Sequence, residues 1–196
     1  MKIGITGQNG FLGYHLSQTI KYKFENLKIL PFEKSFLKNT KLINSFVSSC
    51  DVIIHLAGVN RSNVDEEVYD LNIEINKSLK EALINNSFNG HLIFASSYKE
   101  DSDSLYGKAK KESRIFLEQS ISKLGGKFTG LIIPNVFGSF CKPNYNSFIA
   151  TFSDAILINK APKIIDDSKV PLIYVENLVK QIIENIQSKK EIKHNY

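Results

Sequence analysis

The sequence predicts an α/β fold built on a parallel, doubly wound sheet, and three observations predict it. The apolar start Ile3-Gly4-Ile5-Thr6 leads into the glycine-spaced turn Gly7-Gln8-Asn9-Gly10-Phe11-Leu12-Gly13. Apolar positions then recur at Leu12, Leu16 and Ile20, so the stretch reads as strand, turn, helix. Near-continuous apolar segments return at residues 51–58, 91–95 and 128–133, each suited to a strand covered on both faces. Segments of helical periodicity separate them, and strand alternating with helix is the pattern a parallel sheet requires.

The turn has a physical logic. Gly7 permits a tight turn, Gly10 lets a pyrophosphate approach the backbone, and Gly13 lets the helix lie close to the strand. The free N–H groups and positive end of the helix then face phosphates. The alternative is a glycine-rich turn that only joins two elements. After it, residues 27–32 read as a second strand with Pro31 near its end, stopping at Glu33 and Lys34. In this architecture the residue past the second strand meets the adenosine ribose. An acid pairs with the 2′-OH of NAD and a cation accommodates the 2′-phosphate of NADP, so the two residues argue in opposite directions.

Residues 35–50 are too few for a full strand and a full helix, which predicts one helix around 41–49 and a reduced strand at most. Residues 51–58 form a buried strand whose small-residue end, Leu56-Ala57-Gly58, lets a cofactor pack against backbone. His55 within it reads as structural. Residues 64–86 carry Val68, Leu71, Ile75, Leu79 and Leu83 at helical spacing, with Asn72 on the polar side. A strand at 91–95 stops at Ser96 and Ser97, a polar loop runs to Ser104, and a helix spans 106–124 before Gly125-Gly126 and the strand 128–133. From Pro134 the pattern predicts a loop through Tyr145, a helix near 146–159, a short strand, an amphipathic helix over 176–187 and a polar end at 188–196.

Length and composition limit the function classes. The 196 residues suit one domain, 1–196, with 42% hydrophobic and 23% charged residues, an ordinary globular balance. No apolar run approaches the ~20 residues of a membrane span and the start lacks a basic-then-apolar leader, so the expected location is the cytoplasm. The net charge of +5 comes from scattered lysines, with Arg61 and Arg114 the only arginines. Base readout favours arginine, so the surplus reads as a solvated surface that helps attract an anionic substrate and not as a nucleic-acid site. Cys50 and Cys141 stand apart without metal-ligand spacing and read as reduced thiols.

Tyr106 and Lys110 are four apart on the predicted helix and project from one face. A nearby ammonium stabilises tyrosinate, which lowers the phenol pKa and lets Tyr106 exchange a proton with a carbonyl oxygen. Ser97, ending the preceding strand, can hydrogen-bond the same oxygen as its charge develops. The Tyr-x-x-x-Lys spacing alone is not diagnostic in a chain with 8 tyrosines; its place after the strand ending in Ser97 gives it meaning.

The opening glycine turn, His55-Leu56-Ala57-Gly58, Ser97, Tyr106-Gly107-Lys108-Ala109-Lys110 and Pro134-Asn135-Val136-Phe137-Gly138 together resemble the extended short-chain dehydrogenase/reductases of the NAD-dependent epimerase/dehydratase family, which act on nucleotide sugars. His55 to Arg61 and Lys142 to Ser147 further resemble the reductase domain of capsule and O-antigen enzymes that reduce a UDP-linked 4-keto-6-deoxy-N-acetylhexosamine. The resemblance implies a Rossmann-like fold and NADPH-dependent reduction of a C4 ketone, with Tyr106 as proton donor, Lys110 on the nicotinamide ribose and Ser97 on the keto oxygen. It also implies that Gly7, Gly10, Phe11, Leu12 and Gly13 serve the pyrophosphate, that Leu56 and Ala57 line the cofactor cleft, and that Asn135 and the 142–147 loop, with Lys142, Asn144, Tyr145 and Asn146, face the sugar nucleotide. Arg61 and Lys142 would meet substrate charge.

The chain departs from its relatives in places. Those enzymes have a longer substrate lobe, so residues 134–174 are expected to form a reduced one: either the chain is a fragment, or a second copy or a separate partner completes the site. Asn177 stands where the pattern prefers Asp, and Ile132 where an arginine often precedes Pro-Asn. By the same resemblance helices 64–86 and 106–124 pair two copies into a homodimer. Two other readings stay open: an epimerase or dehydratase that retains NAD, and a nucleotide-binding or assembly protein without catalysis.

Overall fold

The computed structural model describes residues 1–62, 64–164 and 167–188. Five parallel strands form the main sheet: β1 (Lys2–Thr6), β2 (Lys28–Leu30), β3 (Val52–His55), β4 (His91–Ser97) and β5 (Lys127–Ile133), in the order β2-β1-β3-β4-β5. The chain steps outward from β1 to β2 and then returns to the other side of β1, so the order reverses between β1 and β3. Ligands of such sheets bind at that reversal, beyond the strand C-termini.

Helices α1 (Phe11–Lys23) and α6 (Val175–Gln187) cover one face, packing Leu16, Ile20, Leu178 and Ile182 onto Ile3, Ile5 and Ile54. Helices α2 (Thr40–Ser48), α3 (Asp65–Asn85) and α4 (Leu105–Lys123) cover the other, where Phe46, Leu79, Leu83 and Leu117 meet Ile53, Leu92 and Phe94. Each fully buried side chain of this kind contributes roughly 2 kcal/mol through removal from water, so two complete layers hold the central strands. Register is longest between β4 and β5, which stay paired from His91↔Lys127 to Ser97↔Ile133. That pairing carries Ser97 to the C-terminal rim of the sheet.

The predicted elements are present with three differences. The second strand covers Lys28–Leu30 and not residues 27–32, because Pro31 lacks the N–H that would continue the ladder. No strand forms over residues 35–50; a short 3-10 helix, Lys34–Lys38, precedes α2, and Asn39 caps α2 by accepting from the N–H groups of Lys41 and Leu42. The loop expected after Pro134 contains a strand, β6 (Asn135–Phe137), which pairs in parallel with β7 (Leu172–Tyr174).

Between those two strands lies α5 (Phe148–Leu157), capped by the Ser147 hydroxyl and with no buried residue, so Ile156 and Leu157 stand 63% and 81% exposed. Among the described residues no helix is long and apolar enough to cross a membrane. Cys50 is buried and Cys141 half-buried, both as free thiols. The polar end expected over residues 189–196 lies outside the described residues.

Candidate active site

The glycine turn closes as its spacing requires. Gly7 adopts φ +75°, a conformation that side chains disfavour, and its carbonyl accepts from the Gly10 N–H at 2.9 Å. A Cβ on Gly13 would sit 2.2 Å from the Gly7 carbonyl oxygen, so only glycine lets α1 start this close to β1. Gly10 precedes α1 without a capping side chain, and the first turn of α1 carries no acidic residue. The N–H groups of Phe11, Leu12 and Gly13 therefore point outward with a positive helix end behind them, an arrangement that fits the pyrophosphate of a dinucleotide. Gln8 donates to the Phe32 carbonyl at 2.9 Å, bringing the end of β2, with Glu33 and Lys34 both exposed, beside this turn.

Leu56, Ala57 and Gly58 leave β3 along the other wall of the same notch. A Cβ on Gly7 would meet the Ala57 nitrogen at 3.0 Å, and one on Gly58 would meet Asn72 Oδ1 at 3.0 Å and Lys110 Nζ at 3.2 Å. A hydrogen-bonded chain holds this wall. The Ala57 N–H donates to Thr6 Oγ1 at 3.2 Å, and Thr6 Oγ1 lies 2.6 Å from His55 Nδ1. His55 Nε2 lies 2.9 Å from Asn76 Oδ1, an acceptor, which makes Nε2 the protonated nitrogen and Nδ1 the acceptor from Thr6. Asn76 in turn donates to the Asn72 carbonyl, and Asn72, fully buried, donates to the Val59 carbonyl at 2.7 Å and accepts the Val59 N–H at 3.1 Å. His55 is thus structural, as expected. Asn72 is not on a polar surface; it faces inward, since the loop after β3 supplies the partners that helical periodicity alone does not reveal.

This neutral histidine makes stability depend on pH. Burial, with the nearby Lys110 charge, lowers His55 to about 3, and burial with Lys127 lowers His91, beside Thr129 Oγ1 at 2.9 Å, to about 4. In the unfolded chain both titrate near 6.5, so protonation favours unfolding. Their contribution is complete above that value and is lost as pH falls from about 6.5 toward 3 to 4. Going from pH 7 to pH 5 is expected to cost about 2 kcal/mol per histidine, measured by urea unfolding at both values, and His91→Gln should remove roughly half of the drop. A flat stability between those values would exclude both buried neutral histidines.

At the rim of β4 and the start of α4 the structure brings Ser97, Tyr106 and Lys110 together. Ser104 starts α4 by accepting the Gly107 N–H at 3.1 Å, placing Tyr106 and Lys110 one turn apart. Lys110 is 3% exposed; its Nζ donates to the Ala95 carbonyl at 2.9 Å and lies 5.9 Å from the Tyr106 ring centre. Burial lowers Lys110 to about 8, opposed by the Glu100 carboxylate. Burial also pushes the Tyr106 phenol up to about 12, with a hydrogen bond from Ser97 pulling the other way.

The expectation that Lys110 would bring the phenol toward neutrality therefore does not hold. Its ammonium gives one of its three N–H groups to the Ala95 carbonyl, and desolvation of the phenolate dominates. Tyr106 keeps its proton across the physiological range and is suited to donate it. Beside the trio, Asn135 donates to the Tyr98 hydroxyl at 2.9 Å.

Residues 3–196 match the NAD dependent epimerase/dehydratase family. The chain belongs to that family. A UDP-2-acetamido-2,6-beta-L-arabino-hexul-4-ose reductase of Pseudomonas aeruginosa is 30% identical over 190 residues, which are 96% of this chain and 50% of the relative. The capsular polysaccharide assembling protein CapF of Staphylococcus aureus superposes with a TM-score of 0.80 at 28% identity, over 99% of this chain and 51% of that one. The UDP-glucose 4-epimerase of Thermotoga maritima, solved with UDP-glucose, shares the fold at 21% identity, with a TM-score of 0.81 over 95% of this chain and 74% of that one. The chain thus spans about half the length of the curated relative it matches. Membership brings a nicotinamide dinucleotide as the class of cofactor, and the glycine notch described above fits it.

The residues expected to face the sugar are less closely gathered. The Arg61 guanidinium lies 5.9 Å from the Tyr145 ring centre, so the loop after β3 meets the loop before α5. Asn144, at φ +55°, donates its N–H to Thr151 Oγ1 at 2.8 Å, which ties the loop before α5 to that helix. Lys142 is exposed and Asn146 half-buried, and neither is hydrogen-bonded to Ser97, Tyr106 or Lys110. Thr6, Asn72 and Asn76 were not singled out from the sequence as site residues. Two asparagines four apart on the buried side of a helix are the one local sign that could have found them.

Proposed function

We propose that this chain reduces the C4 ketone of a UDP-linked 4-keto-6-deoxy sugar, with NADPH as reductant, for assembly of a surface polysaccharide. The observation that carries the reading is the convergence of Ser97, Tyr106 and Lys110 beyond the strand C-termini, next to the glycine notch. A nicotinamide dinucleotide held by the Gly7–Gly13 turn would supply the hydride for C4. The Ser97 hydroxyl and the Tyr106 phenol hydrogen-bond the keto oxygen, and the phenol, held protonated by its burial, gives its proton to that oxygen as the alcohol forms. Lys110, cationic below about 8, stabilises the phenolate left behind and holds the nicotinamide ribose. The relative's name, which includes a hexul-4-ose reductase, supports a keto sugar and net reduction.

In this reading Gly7, Gly10, Phe11, Leu12 and Gly13 hold the pyrophosphate and Leu56, Ala57 and Gly58 line the nicotinamide half of the cleft. Residues 134–174 serve as a reduced substrate lobe, in which Asn135, Lys142, Asn144, Tyr145 and Asn146, with Arg61, face the sugar nucleotide. The protein works in the cytoplasm as a homodimer paired through α3 and α4, or with a partner that completes the lobe.

The test is incubation with a UDP-4-keto-6-deoxy-N-acetylhexosamine and either NADPH or NADH, with mass spectrometry of the product. Reduction adds H2 and consumes the reductant. Product formed without consuming reductant would instead make the chain an NAD-retaining epimerase, a reading favoured by the exposed Glu33 carboxylate at the ribose position. Calorimetric binding of cofactor without sugar nucleotide would mark a non-catalytic binding protein. For cofactor choice, Lys34→Ala should weaken NADPH about tenfold, or roughly 1.4 kcal/mol, and leave NADH unchanged. An unaltered NADPH affinity in that variant would remove Lys34 from the ribose.

A further inference from the structure

Behind Ser97, Tyr106 and Lys110 lies a charged pair that the reaction above does not use. Glu100, in the short 3-10 helix Tyr98–Asp101 between β4 and α4, is only 6% exposed. Arg114, one turn beyond Lys110, donates Nε to the two Glu100 oxygens at 2.9 and 3.1 Å and Nη2 to Oε2 at 2.8 Å. The Ser96 hydroxyl donates to the same carboxylate. Arg114 reaches it by crossing Gly130 of β5, where a Cβ would stand 2.7 Å from Arg114 Cδ, and its Nη1 is 3.7 Å from Glu118 at the surface. One carboxylate thus ties β4, the turn, α4 and β5 together.

Burying the Glu100 carboxylate carries a desolvation cost that the half-buried Arg114 offsets, so the pair is a weak source of stability and its placement is what calls for explanation. It sits on the turn that joins Ser97 to the helix of Tyr106 and Lys110. The Lys99 carbonyl, next to Glu100, packs onto Gly107 so closely that a Cβ there would come within 1.9 Å, and it accepts from the Ser102 hydroxyl at 2.7 Å. Ser102 in turn meets the hydroxyl of Ser104, the residue that caps α4. Moving Glu100 would move the turn, and with it the approach of Ser97 to Tyr106.

We propose that Glu100, clamped by Arg114 and Ser96, is a positioning residue for the reduction, fixing the 98–104 turn so that the Ser97 hydroxyl and the Tyr106 phenol meet at one oxygen. The role rests on the reductase reading. A second consequence concerns Lys110. The titratable and charged groups facing it are His55 from β3, Tyr106 from its own helix and Glu100 from the turn, while Asn72 from α3 and Phe94 from β4 are uncharged. Of these only Glu100 is negative, and its charge keeps Lys110 cationic against its burial.

The test uses the full chain with two substitutions, each checked for cooperative unfolding. Glu100→Asp keeps the charge and shortens the reach; it should lower kcat about 10²-fold, as expected for a displacement near 1 Å, with NADPH affinity within about threefold of wild type. Glu100→Gln keeps the shape and removes the charge. It should move the Lys110 titration midpoint, followed by NMR of carbon-labelled lysine assigned through Lys110→Arg, to lower pH, and shift the alkaline limb of the kcat profile the same way. If Glu100→Gln fails to fold, the paired change with Arg114→Gln leaves no unpaired buried charge and must still lower kcat. An active wild type whose folded variants keep kcat and the Lys110 midpoint overturns the positioning role. A wild type that reduces no 4-keto sugar overturns the reductase reading instead, whatever the lysine titration shows.

Discussion

Tyr106→Phe is expected to abolish reduction, lowering kcat by about 10³-fold or more, while dinucleotide affinity stays within about threefold of wild type. The substitution removes one hydroxyl and leaves a ring of the same shape at the rim of β4, so the fold has no reason to change. The removed group is the phenol hydrogen-bonded with Ser97, and its burial holds it at about 12, loaded across the physiological range. Ser97 remains, but a serine hydroxyl without a base behind it is a hydrogen-bond donor and not an acid. Single-turnover assays with a UDP-4-keto sugar, beside calorimetry with NADPH, separate the two effects. A Tyr106→Phe variant that turns over at the wild-type rate would remove the whole proton-donor assignment; loss of cofactor binding together with rate would mean that the ring, not the hydroxyl, was essential.

Why Tyr106 was legible in the sequence and its environment was not follows from distance along the chain. The strand ending at Ser97, the Tyr-x-x-x-Lys spacing and the opening glycines are local patterns, and local patterns fix which face of a helix a side chain leaves from. The sheet was legible for the same reason, since β3, β4 and β5 each carry an unbroken apolar run, Val52–Ile54, Leu92–Ala95 and Leu131–Ile133. β6 escaped because Asn135-Val136-Phe137 has only three half-buried residues and its partner lies beyond α5, at Leu172. The Asn72–Asn76–His55–Thr6 chain joins residues up to 70 positions apart in groups that each look unremarkable, and Glu100 and Arg114 are ordinary charges until β4, α4 and β5 are packed together. The misjudged direction of the Tyr106 shift has the same origin. Sequence shows the ammonium four residues away, but not that it is anchored on the Ala95 carbonyl or that burial of the phenol outweighs its charge.

Gly13→Ala is expected to damage fold and cofactor binding together, whereas Gly10→Ala damages binding alone. At Gly13 the added Cβ would lie 2.2 Å from the Gly7 carbonyl oxygen, 2.6 Å from Gln8 Cα and 2.9 Å from the Gln8 carbonyl carbon, all backbone atoms that no rotamer change can move aside. Relief requires α1 to withdraw from the turn, which strains Gly7 at φ +75° and breaks the packing of Leu16 and Ile20 beneath. Overpacking of this kind costs about 3 kcal/mol, which for a chain of this size lowers Tm by about 6 to 12 °C. At Gly10 the nearest atom to a Cβ is the Gly7 oxygen at 3.2 Å, so the helix can stay where it is and Tm should move little. The methyl group would instead occupy the space through which phosphate oxygens reach the N–H groups of Phe11 and Leu12. Dinucleotide affinity should fall at least about 10²-fold in both variants, roughly 2.7 kcal/mol, by loss of alignment in one and by obstruction in the other. Thermal unfolding and calorimetry on the pair decide the matter. If Gly10→Ala binds as wild type while Gly13→Ala merely unfolds earlier, the turn is a packing device and the phosphates bind elsewhere.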